Sequence, residues 1–566
     1  MLQNNQFSVF HSTAYPWQYV DSDQVLHLMI CMKGAGPISI KCLACDPCDT
    51  DKGVFGEDMP RLFTYEMRCE MEGPGIQYFT LHIPMNTHKL RYHFSISVLG
   101  HTYLYDESGL SEDKEELYIR PFFVAYTYSD RCGGVPKWCN GMVWYQIFPD
   151  RFAKEDSDQT RGWQSGKITD KDLVCGGTLK GITSKIPYLK QLGTKGIYLN
   201  PIFQAGSIHR YDIIDYLKID PILGTEEDFV ELCEKCHSNG IRIMMDGVFN
   251  HCSYLSPQFQ DVINKGEHSR YYDWFIVYDT DRLKKMDVKT GADAQFRASP
   301  VYETFAFVPS MPKFNTCNPQ VMDYLIGAAE YWTKKCGIDA WRLDVPDEVN
   351  IEFLRVFRRR IKTRNPDIYI VGEFWGNAAR WLDGETFDGA MNYPLYFIVR
   401  DFLAKEKISA FPCAKLLTQC LMANPPVRRC GMFTFCSTHD TPRILWHCGE
   451  DRKKRDLCYI LTAALGGQLS VYYGDEIGMT GGYDPDNRRC YPWNSGTATK
   501  EMKEAIRDAV SLASDDGKGR ICRICALDEE VLGVIYERRR LYINRSKEEK
   551  ELPDGTKICP QSYCYL

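Results

Sequence analysis

The sequence lacks the features that would place the protein in a membrane, in the secretory pathway or on nucleic acid. No stretch reaches the roughly 18 apolar residues that a bilayer-spanning helix needs. The N-terminal segment has no basic region followed by an apolar run, so it is not a secretory signal. There is no long basic run, and the formal net charge is −7. We therefore expect a cytoplasmic protein that binds neither membranes nor nucleic acid.

Cysteine is not scarce, but its pattern predicts neither a disulfide framework nor a complete metal site. The 24 cysteines occur in a long chain without a secretory signal, a setting that indicates reduced thiols. Cys42, Cys45 and Cys48 are spaced like metal ligands, yet no fourth ligand stands at motif spacing nearby. Cys233 and Cys236 are better explained as the buried face of an amphipathic helix. The sequence therefore predicts no zinc or iron–sulfur site.

The 566 residues are too many for one hydrophobic core, and three regions differ in pattern. Residues 1–135 contain strand-like runs separated by turns and no long helical period, which is typical of a β-sandwich. These runs are Leu26–Lys33, Ile38–Ala44, Leu62–Met71, Ile76–Met85 and Leu90–Leu99. Residues 136–515 alternate strands with helices. Residues 516–566 contain short strand-like runs and are predicted to form a small C-terminal β domain.

Repeated βα units over residues 136–515 favour a parallel (β/α)8 barrel. The rival is an open doubly wound sheet, but no GxGxxG motif follows the first strand. The recognisable strands are Met142–Phe148, Gly196–Leu199, Ile241–Asp246, Ile338–Leu343, Ile368–Glu373, Met432–Phe435 and Gln468–Tyr473. Residues 252–316 interrupt this alternation with little regular period. Because a stretch that long is usually functional, we expect an inserted lobe over the C-terminal face of the barrel.

Residues that can carry chemistry follow four of the predicted strands, and a parallel barrel gathers such strand ends on one face. They are Asp246 and His251 after the third strand, Arg342 and Asp344 at the fourth, Glu373 and Trp375 at the fifth, and His439 and Asp440 at the seventh. Arg342 and Asp344 alone could be a structural ion pair, and each histidine alone could be a core residue. Several acids in one cleft repel each other, so a purely structural cluster would be costly.

Two carboxylates about 5–5.5 Å apart suit retaining glycoside hydrolysis. Arg342 and Asp344 point to the same side of their strand, so we expect the guanidinium to lower the pKa of Asp344 and keep it ionised as the nucleophile. Acidic neighbours would raise the pKa of Glu373, which would then hold a proton as the general acid. Asp440 could accept hydrogen bonds from sugar hydroxyls and help to distort the ring.

The motifs around these residues resemble those of glycoside hydrolase family 13, the α-amylase family, in its neopullulanase, cyclomaltodextrinase and maltogenic amylase branch. The similarity extends over almost the whole chain. It is carried by Gly141–Phe152, Gly196–Phe203, Ser207–Tyr216, Met311–Asn315, Phe387–Pro394 and Asp484–Trp493, in addition to the four strand ends. The resemblance implies that Asp344 is the nucleophile, Glu373 the acid/base and Asp440 the stabiliser of the transition state.

The same resemblance implies a set of substrate-binding residues. Asp246, His251, Arg342 and His439 would surround the reacting sugar, Tyr211 would stack on it, His209 would hydrogen-bond nearby, and Glu348 and Trp375 would influence acceptor sugars or water. Asp347 departs from the pattern, because the branch usually has asparagine there. The N-terminal sandwich resembles the branch's starch-binding-like domain, which implies a homodimer formed through that domain.

Catalysis by these residues should need no cofactor. The resemblance leaves a structural calcium ion open, but the loop after Phe152 lacks the Asn-Gly-Asp start that often supplies calcium ligands in the family. Only Asp156 and Asp158 remain there. Charged loop residues of this kind are usually only solvated, which argues against a calcium site.

The sequence thus predicts a retaining α-glucan hydrolase that cleaves α-1,4 bonds in maltooligosaccharides, cyclomaltodextrins and pullulan, with glycosyl transfer as an accompanying reaction. Two alternatives stay open. One is a glucan-transferring or isomerising enzyme on the same barrel, and the other is a non-catalytic glucan-binding protein. The presence of all three acids favours an enzyme.

Overall fold

A computed structural model gives the fold for residues 7–34, 38–47, 49–52, 58–87, 89–112, 120–124, 134–155, 163, 165–286, 294–493 and 500–566. A parallel sheet of eight strands lies at its centre, and antiparallel strands precede and follow it. Among the helices within these ranges, none combines the length and the apolarity that crossing a membrane requires.

Before the barrel, a two-sheet sandwich and one separate two-stranded hairpin, made by the fifth and sixth strands, are built from antiparallel strands. They are β1 (Phe7–Phe10), β2 (Gln18–Val20), β3 (Val25–Gly34), β4 (Ile38–Cys45), β5 (Thr50–Lys52), β6 (Asp58–Pro60), β7 (Phe63–Glu66), β8 (Arg68–Gly73), β9 (Ile76–Pro84), β10 (Leu90–Val98), β11 (His101–Asp106), β12 (Gly109–Ser111) and β13 (Phe122–Val124). One sheet begins β1-β3-β9-β8, and the other runs β12-β11-β10-β4-β7. Alternating apolar side chains of β3 and β10, such as Leu28 and Phe94, fill the space between them.

The predicted strand Leu62–Met71 is in fact two strands that belong to different sheets. The chain leaves β7 and crosses to the opposite sheet as β8. Met67 makes the crossing, and its N–H donates to the carbonyl of Ile40 at 2.9 Å. Continuous β-type residues hide such a change of sheet, because both strands have the same local conformation.

The seven predicted barrel strands follow in order, with a two-stranded hairpin after the second and an unpredicted short strand in sixth place. They are β14 (Val143–Ile147), β15 (Gly196–Leu199), β16 (Phe203–Ala205), β17 (Ile213–Ile219), β18 (Arg242–Gly247), β19 (Ala340–Leu343), β20 (Tyr369–Gly372), β21 (Gly389–Ala390), β22 (Phe433–Phe435) and β23 (Gln468–Tyr472). The parallel sheet has the order β21-β20-β19-β18-β15-β14-β23-β22. A parallel bridge between Met391 and Phe433 joins its two edges. The sheet is therefore closed, which confirms the (β/α)8 barrel.

Helices alternate with the barrel strands, and three further helices belong to the predicted inserted lobe. They are α1 (Pro149–Phe152), α2 (Leu179–Ser184), α3 (Ile186–Leu192), α4 (Glu226–Ser238), α5 (Pro257–Lys265), α6 (Thr280–Leu283), α7 (Ala294–Ala298), α8 (Pro319–Cys336), α9 (Ile351–Arg364), α10 (Tyr393–Val399), α11 (Ala410–Met422), α12 (Ile444–His447), α13 (Arg452–Ala464) and α14 (Lys500–Ala513). α4 begins with a capping box between Thr225 and Asp228. α8 ends at Gly337, whose left-handed conformation turns the chain into β19.

The barrel interior is packed rather than open. Its lower part holds a cluster of buried apolar side chains that includes Trp144, Met244, Ala340 and Val371. Since inward side chains recur every second residue along a strand, the next inward positions lie closer to the C-terminal face. Those positions carry the polar residues that form the site described below.

The C-terminal region contains six strands, four of which join a sheet of the N-terminal sandwich. The six are β24 (Ile521–Ala526), β25 (Val531–Tyr536), β26 (Arg540–Asn544), β27 (Lys550–Glu551), β28 (Lys557–Ile558) and β29 (Ser562–Tyr565). β24 pairs in parallel with β8, so β24, β25, β26 and β29 continue the first sheet of the N-terminal sandwich. Arg520 strengthens the junction by donating to the carbonyl of Glu70 at 2.8 Å. The two ends of the chain thus share one sheet. The boundaries at residues 135 and 515 stay predictions.

The segment predicted as an inserted lobe lies between β18 and α8 and contains α5, α6 and α7. A short antiparallel bridge between His251 and Lys313 ties it to the residues that follow β18, and a bridge between Phe275 and Phe314 joins two parts of the segment itself. Two of its side chains, Phe305 and Met311, reach the cleft at the C-terminal end of the barrel strands.

Candidate active site

A cleft of about 490 Å³ opens at the C-terminal end of the barrel strands. Most of the residues predicted from the sequence line it: His209, Tyr211, His251, Asp344, Glu348, Glu373, Trp375 and Asp440. The remaining three, Asp246, Arg342 and His439, are buried directly beneath them. The structure therefore brings every predicted site residue to one place.

Arg342 is the centre of the floor of the cleft. Its Nη1 lies 2.7 Å from Oδ1 of Asp246 and 2.9 Å from Oδ1 of Asp344, and its Nη2 lies 2.8 Å from Oε2 of Glu373. The guanidinium is 1% exposed, so these three ion pairs are formed out of water. One guanidinium thus contacts three carboxylates that come from the ends of three different strands.

A second network fixes the side of the cleft formed by the first three strands. Tyr198 and Tyr211 both donate to Oδ2 of Asp246, at 2.8 and 2.9 Å. The Gln146 amide lies 2.8 Å from Nδ1 of His439, so that Nδ1 accepts and Nε2 carries the proton. Nε2 of His439 then lies 2.6 Å from the Tyr211 hydroxyl.

Asp440 closes the opposite side and is held by two cationic or donor groups. Its Oδ2 lies 3.0 Å from Nε2 of His439, and its Oδ1 lies 3.6 Å from Nη2 of Arg488. Arg488 also pairs with Asp484 at 2.9 Å, and both residues line the cleft. Asp440 is therefore oriented from below and from the side, while part of its carboxylate stays accessible.

Glu373 has donors on both oxygens. Oε2 lies 3.3 Å from the backbone N–H of Val345, besides its ion pair with Arg342. Oε1 accepts from the Trp375 indole at 3.1 Å and from the Tyr393 hydroxyl at 3.4 Å. These contacts hold the carboxyl group in one rotamer at the cleft surface, next to Asp344.

The pKa of Asp344 differs from the expectation that Arg342 would lower it. Burial raises the pKa of Asp344 well above its usual value, and the attraction of Arg342 does not outweigh this. The physical reason is that the guanidinium is shared among Asp246, Asp344 and Glu373, while the neighbouring acids repel a charge on Asp344. Burial and the proximity of Glu373 likewise raise the pKa of Asp440 to about 7.

The histidines of the site are neutral at physiological pH. Burial lowers the pKa of His209 and of His251 to about 3, and burial with nearby Arg488 lowers that of His439 well below its usual value. Neutral imidazoles can donate at one nitrogen and accept at the other. They therefore suit hydrogen bonding to sugar hydroxyls.

Aromatic rings stack at three places around the carboxylates. Tyr211 lies parallel to His439, with ring centroids 5.4 Å apart. His251 stacks on Phe305 of the inserted lobe at 4.8 Å. Trp375 stacks on Tyr393 at 4.0 Å and remains 48% exposed. The last of these leaves a large aromatic face open beside Glu373.

The turn after Asp344 has an unusual backbone. Val345 adopts φ 42° and ψ 50°, a left-handed conformation that a β-branched residue rarely tolerates. This turn presents the N–H of Val345 to Glu373 and leads into Glu348. Glu348 accepts from Asn250 at 3.1 Å and pairs with Lys313 at 3.3 Å. Backbone strain at Val345 thus accompanies the placement of Asp344, Glu348 and Glu373 around one turn.

Sequence reasoning gave no individual role to several residues that line the cleft. Asp484 and Arg488 come from the loop after β23, which drew notice only as part of a family-like segment. Phe305 comes from the irregular lobe, where no local pattern distinguishes it from a core residue. Gln146 and Asn200, beneath the site, could have been found, because each is a polar residue at the end of a barrel strand.

Within the ranges that the structure describes, no group of three or more His, Cys, Asp and Glu side chains is arranged to hold a metal ion. Asp156, Asp158 and Cys48 lie outside those ranges, so the calcium question and the Cys42–Cys45–Cys48 spacing are not addressed. Cys42 itself is buried in the sandwich core.

Comparisons with known proteins agree over nearly the whole chain. The sequence model described as "Alpha amylase, catalytic domain" matches residues 146–529, and that described as "Alpha amylase, N-terminal ig-like domain" matches residues 4–128. A cyclomaltodextrinase of Geobacillus thermopakistaniensis is 36% identical over 564 residues, covering 96% of this chain and 92% of the relative. An intracellular maltogenic amylase of Bacillus subtilis is 33% identical over 576 residues, covering 97% and 93%.

A solved structure of a cyclomaltodextrinase superposes with a TM-score of 0.85 at 30% identity, covering 96% of this chain and 92% of the other. The barrel and its cleft of carboxylates define a glycoside hydrolase. The chain belongs to the α-amylase family, in the branch that contains cyclomaltodextrinases, maltogenic amylases and neopullulanases.

Proposed function

We propose that the protein hydrolyses α-1,4-glucosidic bonds in maltooligosaccharides, cyclomaltodextrins and pullulan with retention of anomeric configuration. The observation that carries the proposal is the sharing of Arg342 by Asp344 and Glu373, at 2.9 and 2.8 Å, in a cleft that also contains Asp440. A nucleophile and a proton donor on neighbouring strands can then act on one glycosidic bond.

In the proposed reaction, Asp344 attacks the anomeric carbon while Glu373 protonates the departing glycosidic oxygen. The bond from the anomeric carbon to that oxygen breaks as the ester bond to Asp344 forms. Glu373, now ionised, removes a proton from water, and the resulting nucleophile displaces Asp344 from the sugar. Both carboxyl groups return to their initial protonation states.

The electrostatics of the cleft supply the proton that this scheme requires. Four carboxylates, those of Asp246, Asp344, Glu373 and Asp440, face one fully buried guanidinium and the more distant Arg488. Burial with fewer cations than acids raises the pKa of Asp344 well above its usual value and that of Asp440 to about 7, so these acids bind protons more readily than free carboxylates do. Sugar binding and the positive charge that develops at the anomeric carbon would leave Asp344 ionised and the proton on Glu373.

The reacting glucose would be held by the network on the other walls. His251 and Asp440 line the cleft and would present donors and acceptors to its hydroxyl groups, and His209 lies nearby. Asp246 and His439, buried beneath them, hold Tyr211 and Asp440 in place. Tyr211 presents a ring held by Asp246 and His439 for stacking on the sugar. Because this network is already hydrogen-bonded, little reorganisation accompanies binding.

The balance of hydrolysis and transfer would be set on the other side of the scissile bond. Trp375 offers an exposed aromatic face there, and Glu348 is oriented by Asn250 and Lys313. A sugar stacked on Trp375 would compete with water for the covalent intermediate. We therefore expect some glycosyl transfer at high substrate concentration.

Product analysis tests the proposed function. The purified protein is incubated with β-cyclomaltodextrin, pullulan, maltoheptaose and starch, and the anomeric protons of the first products are followed by NMR. We expect α-anomers to appear before mutarotation, with maltose and glucose as the principal products from the purely α-1,4-linked substrates and a trisaccharide that keeps its α-1,6 bond from pullulan. Products in the β-configuration would contradict retention, rearranged glucans without net hydrolysis would favour the isomerising alternative, and binding without turnover would favour a non-catalytic role.

We further propose that the protein acts as a cytoplasmic homodimer. None of the cysteines in the described ranges forms a disulfide, which suits a reducing compartment, and one relative is named as intracellular. The N-terminal sandwich leaves apolar side chains exposed, such as Phe63 at 44% and Phe123 at 43%. Light scattering coupled to size-exclusion chromatography should give twice the chain mass of 65.3 kDa, and a monomer over the micromolar range would contradict the dimer.

A further inference from the structure

An exposed aromatic pair lies beside the cleft and takes no part in the site described above. Trp446 in α12 is 42% exposed, and Tyr483, in the loop after β23, is 68% exposed. Their ring centroids are 5.9 Å apart, with the planes inclined at 69°. Two large aromatic side chains left together in solvent indicate a binding surface more strongly than scattered apolar residues do.

The pair is continuous with the wall of the cleft. Tyr483 immediately precedes Asp484, which lines the cleft and forms an ion pair with Arg488 at 2.9 Å. Trp446 packs beside Gly482, where a Cβ atom would lie only 3.6 Å from the indole nitrogen. The two rings therefore lie next to the residues that line the edge of the cleft.

The backbone that carries the pair is held in place by hydrogen bonds. The N–H of Arg443 donates to the carbonyl of Gly481 at 3.0 Å, which ties the start of α12 to the loop. The N–H of Gly482 donates to Asp486 at 2.8 Å, and the N–H of Asp486 donates to the carbonyl of Tyr483 at 2.9 Å. A ligand would therefore meet a surface that is ordered before binding.

We propose that Trp446 and Tyr483 form a platform that binds an additional α-1,4-linked glucose unit on the glycone side of the cleft, the side that stays attached to the enzyme during the first step. This inference rests on the proposed hydrolysis. Glu373 protonates the leaving oxygen, so the departing part of the substrate lies along Glu373 and Trp375. Asp440 and Arg488 lie on a different wall, which continues through Asp484 to the platform.

The chemistry of the platform fits a neutral sugar. A glucose unit presents apolar C–H faces, which pack on aromatic rings, and a rim of hydroxyl groups, which need donors and acceptors. The two rings supply the apolar surface. The half-exposed carboxylate of Asp484 and the guanidinium of Arg488 supply the acceptor and the donors. Since these two charges are paired with each other, the surface does not favour a ligand of either charge.

The first experiment compares a long and a short substrate. Trp446→Ala, Tyr483→Ala and the double variant are assayed for kcat/KM on maltoheptaose and on maltotriose. We expect the double variant to lose roughly tenfold on maltoheptaose while maltotriose changes by less than about twofold, because only the longer chain reaches the platform. Phe411→Ala is the matched control, since Phe411 in α11 is exposed to a similar degree, 43%.

The second experiment determines on which side of the scissile bond the platform binds its glucose unit. Maltohexaose labelled at its reducing end is cleaved by wild type and by the double variant, and the labelled products are counted. Loss of a glycone-side unit disfavours binding modes with many sugars on that side. The variant should therefore release longer labelled fragments than wild type, whereas loss of a unit on the departing side would shift the products the opposite way.

Three results would overturn the platform. The first is an unchanged ratio of kcat/KM on maltoheptaose to kcat/KM on maltotriose in the double variant. The second is the release of shorter labelled fragments than wild type releases. The third is dissociation of a dimer on Trp446→Ala with that kcat/KM ratio intact. The last would assign the pair to an interface. If wild type hydrolyses no α-glucan, the proposed function fails instead. The platform is then tested by calorimetric binding of maltoheptaose, where equal affinity of wild type and double variant would contradict it.

Discussion

Along the barrel strands, the inward side chains change character within two residues. Met244 is followed by Asp246, Ala340 by Arg342, and Val371 by Glu373, with the apolar member deeper in the barrel each time. The lower layer is mainly apolar, and the indole N–H of Trp144 within it donates to Oε1 of the buried Gln468 at 2.7 Å. The upper layer gathers carboxylates around one buried guanidinium.

The two layers show how one strand can serve stability and chemistry at once. The lower layer excludes water and contributes hydrophobic stabilisation, and it fixes the positions from which the upper residues project. The upper layer raises the pKa of Asp344 and Asp440 by burying more acids than cations, an arrangement that costs folding energy. Substitutions in the lower layer should therefore affect stability, and those in the upper layer should affect activity and its dependence on pH.

The largest expected effect is that of Glu373→Gln. We expect kcat/KM on maltoheptaose to fall by roughly 10³-fold, because the leaving oxygen loses its proton donor. A glycosyl fluoride, whose leaving group needs little protonation, should lose far less in the first step. Met244→Ala is the matched change in the lower layer, expected to lower the free energy of unfolding by about 2–5 kcal/mol while kcat stays close to wild type. Equal losses on both substrates would contradict the role of Glu373 as acid.

Arg342→Met tests the guanidinium that the upper layer shares. Removing it leaves the carboxylates of Asp246, Asp344 and Glu373 buried without their common cation. We expect the free energy of unfolding at pH 7.5 to fall by about 3–5 kcal/mol, with activity lost. The destabilisation should shrink as the pH is lowered and the acids take up protons, which denaturant titrations at pH 7.5 and 5 would measure. A loss independent of pH would indicate a packing effect.

Asp440→Asn should stabilise the protein at neutral pH while abolishing turnover. The folded-state pKa of Asp440 is raised to about 7, so the folded protein binds more protons than the unfolded chain between about pH 4 and 7. The stability of wild type therefore falls as the pH rises through that window. Allowing for the 28% exposure of the side chain, we expect a gain of roughly 1–2 kcal/mol at pH 8 that disappears near pH 4. A gain that grows on acidification would contradict the sign.

The smallest expected effect concerns the strained turn at Val345, which follows Asp344 and contacts Glu373. Val345→Asn places a residue that tolerates left-handed backbone at φ 42°. We expect the melting temperature to rise, corresponding to about 1 kcal/mol, with kcat/KM on maltoheptaose within about threefold of wild type. Val349→Asn, a buried position with φ −96°, is the control and should destabilise. A lower melting temperature for Val345→Asn would show that the valine side chain contributes more by packing than the backbone costs.

Much of the barrel was predictable because its signals are local. Alternation of strands and helices, the capping box at Thr225 and the glycine after α8 each mark an element without reference to the rest of the chain. The strand ends then identified the acids. The sixth strand, Gly389–Ala390, escaped notice because two residues carry no pattern, and it is recognisable only from its pairing with β20.

Other features depend on contacts that sequence patterns do not encode. The shared sheet between β8 and β24 joins residues some 450 positions apart, as the contact of Arg520 with Glu70 illustrates. The expectation of a low pKa for Asp344 was wrong for a similar reason: burial and the neighbouring acids raise this pKa by more than Arg342 lowers it. The spacing along one strand predicts that Arg342 and Asp344 lie together. It does not predict how deeply Asp344 is buried or which acids from other strands compete for Arg342.

The central claim, that Asp344 forms a covalent bond to the anomeric carbon, can be tested by trapping. A 5-fluoro-α-glucosyl fluoride slows the hydrolysis of the glycosyl–enzyme intermediate more than its formation. Mass spectrometry of the peptides after incubation should locate a fluoroglucosyl group on the peptide that contains Asp344, and Asp344→Asn should abolish the label. A label on another carboxylate, or a label that persists in Asp344→Asn, would contradict the account.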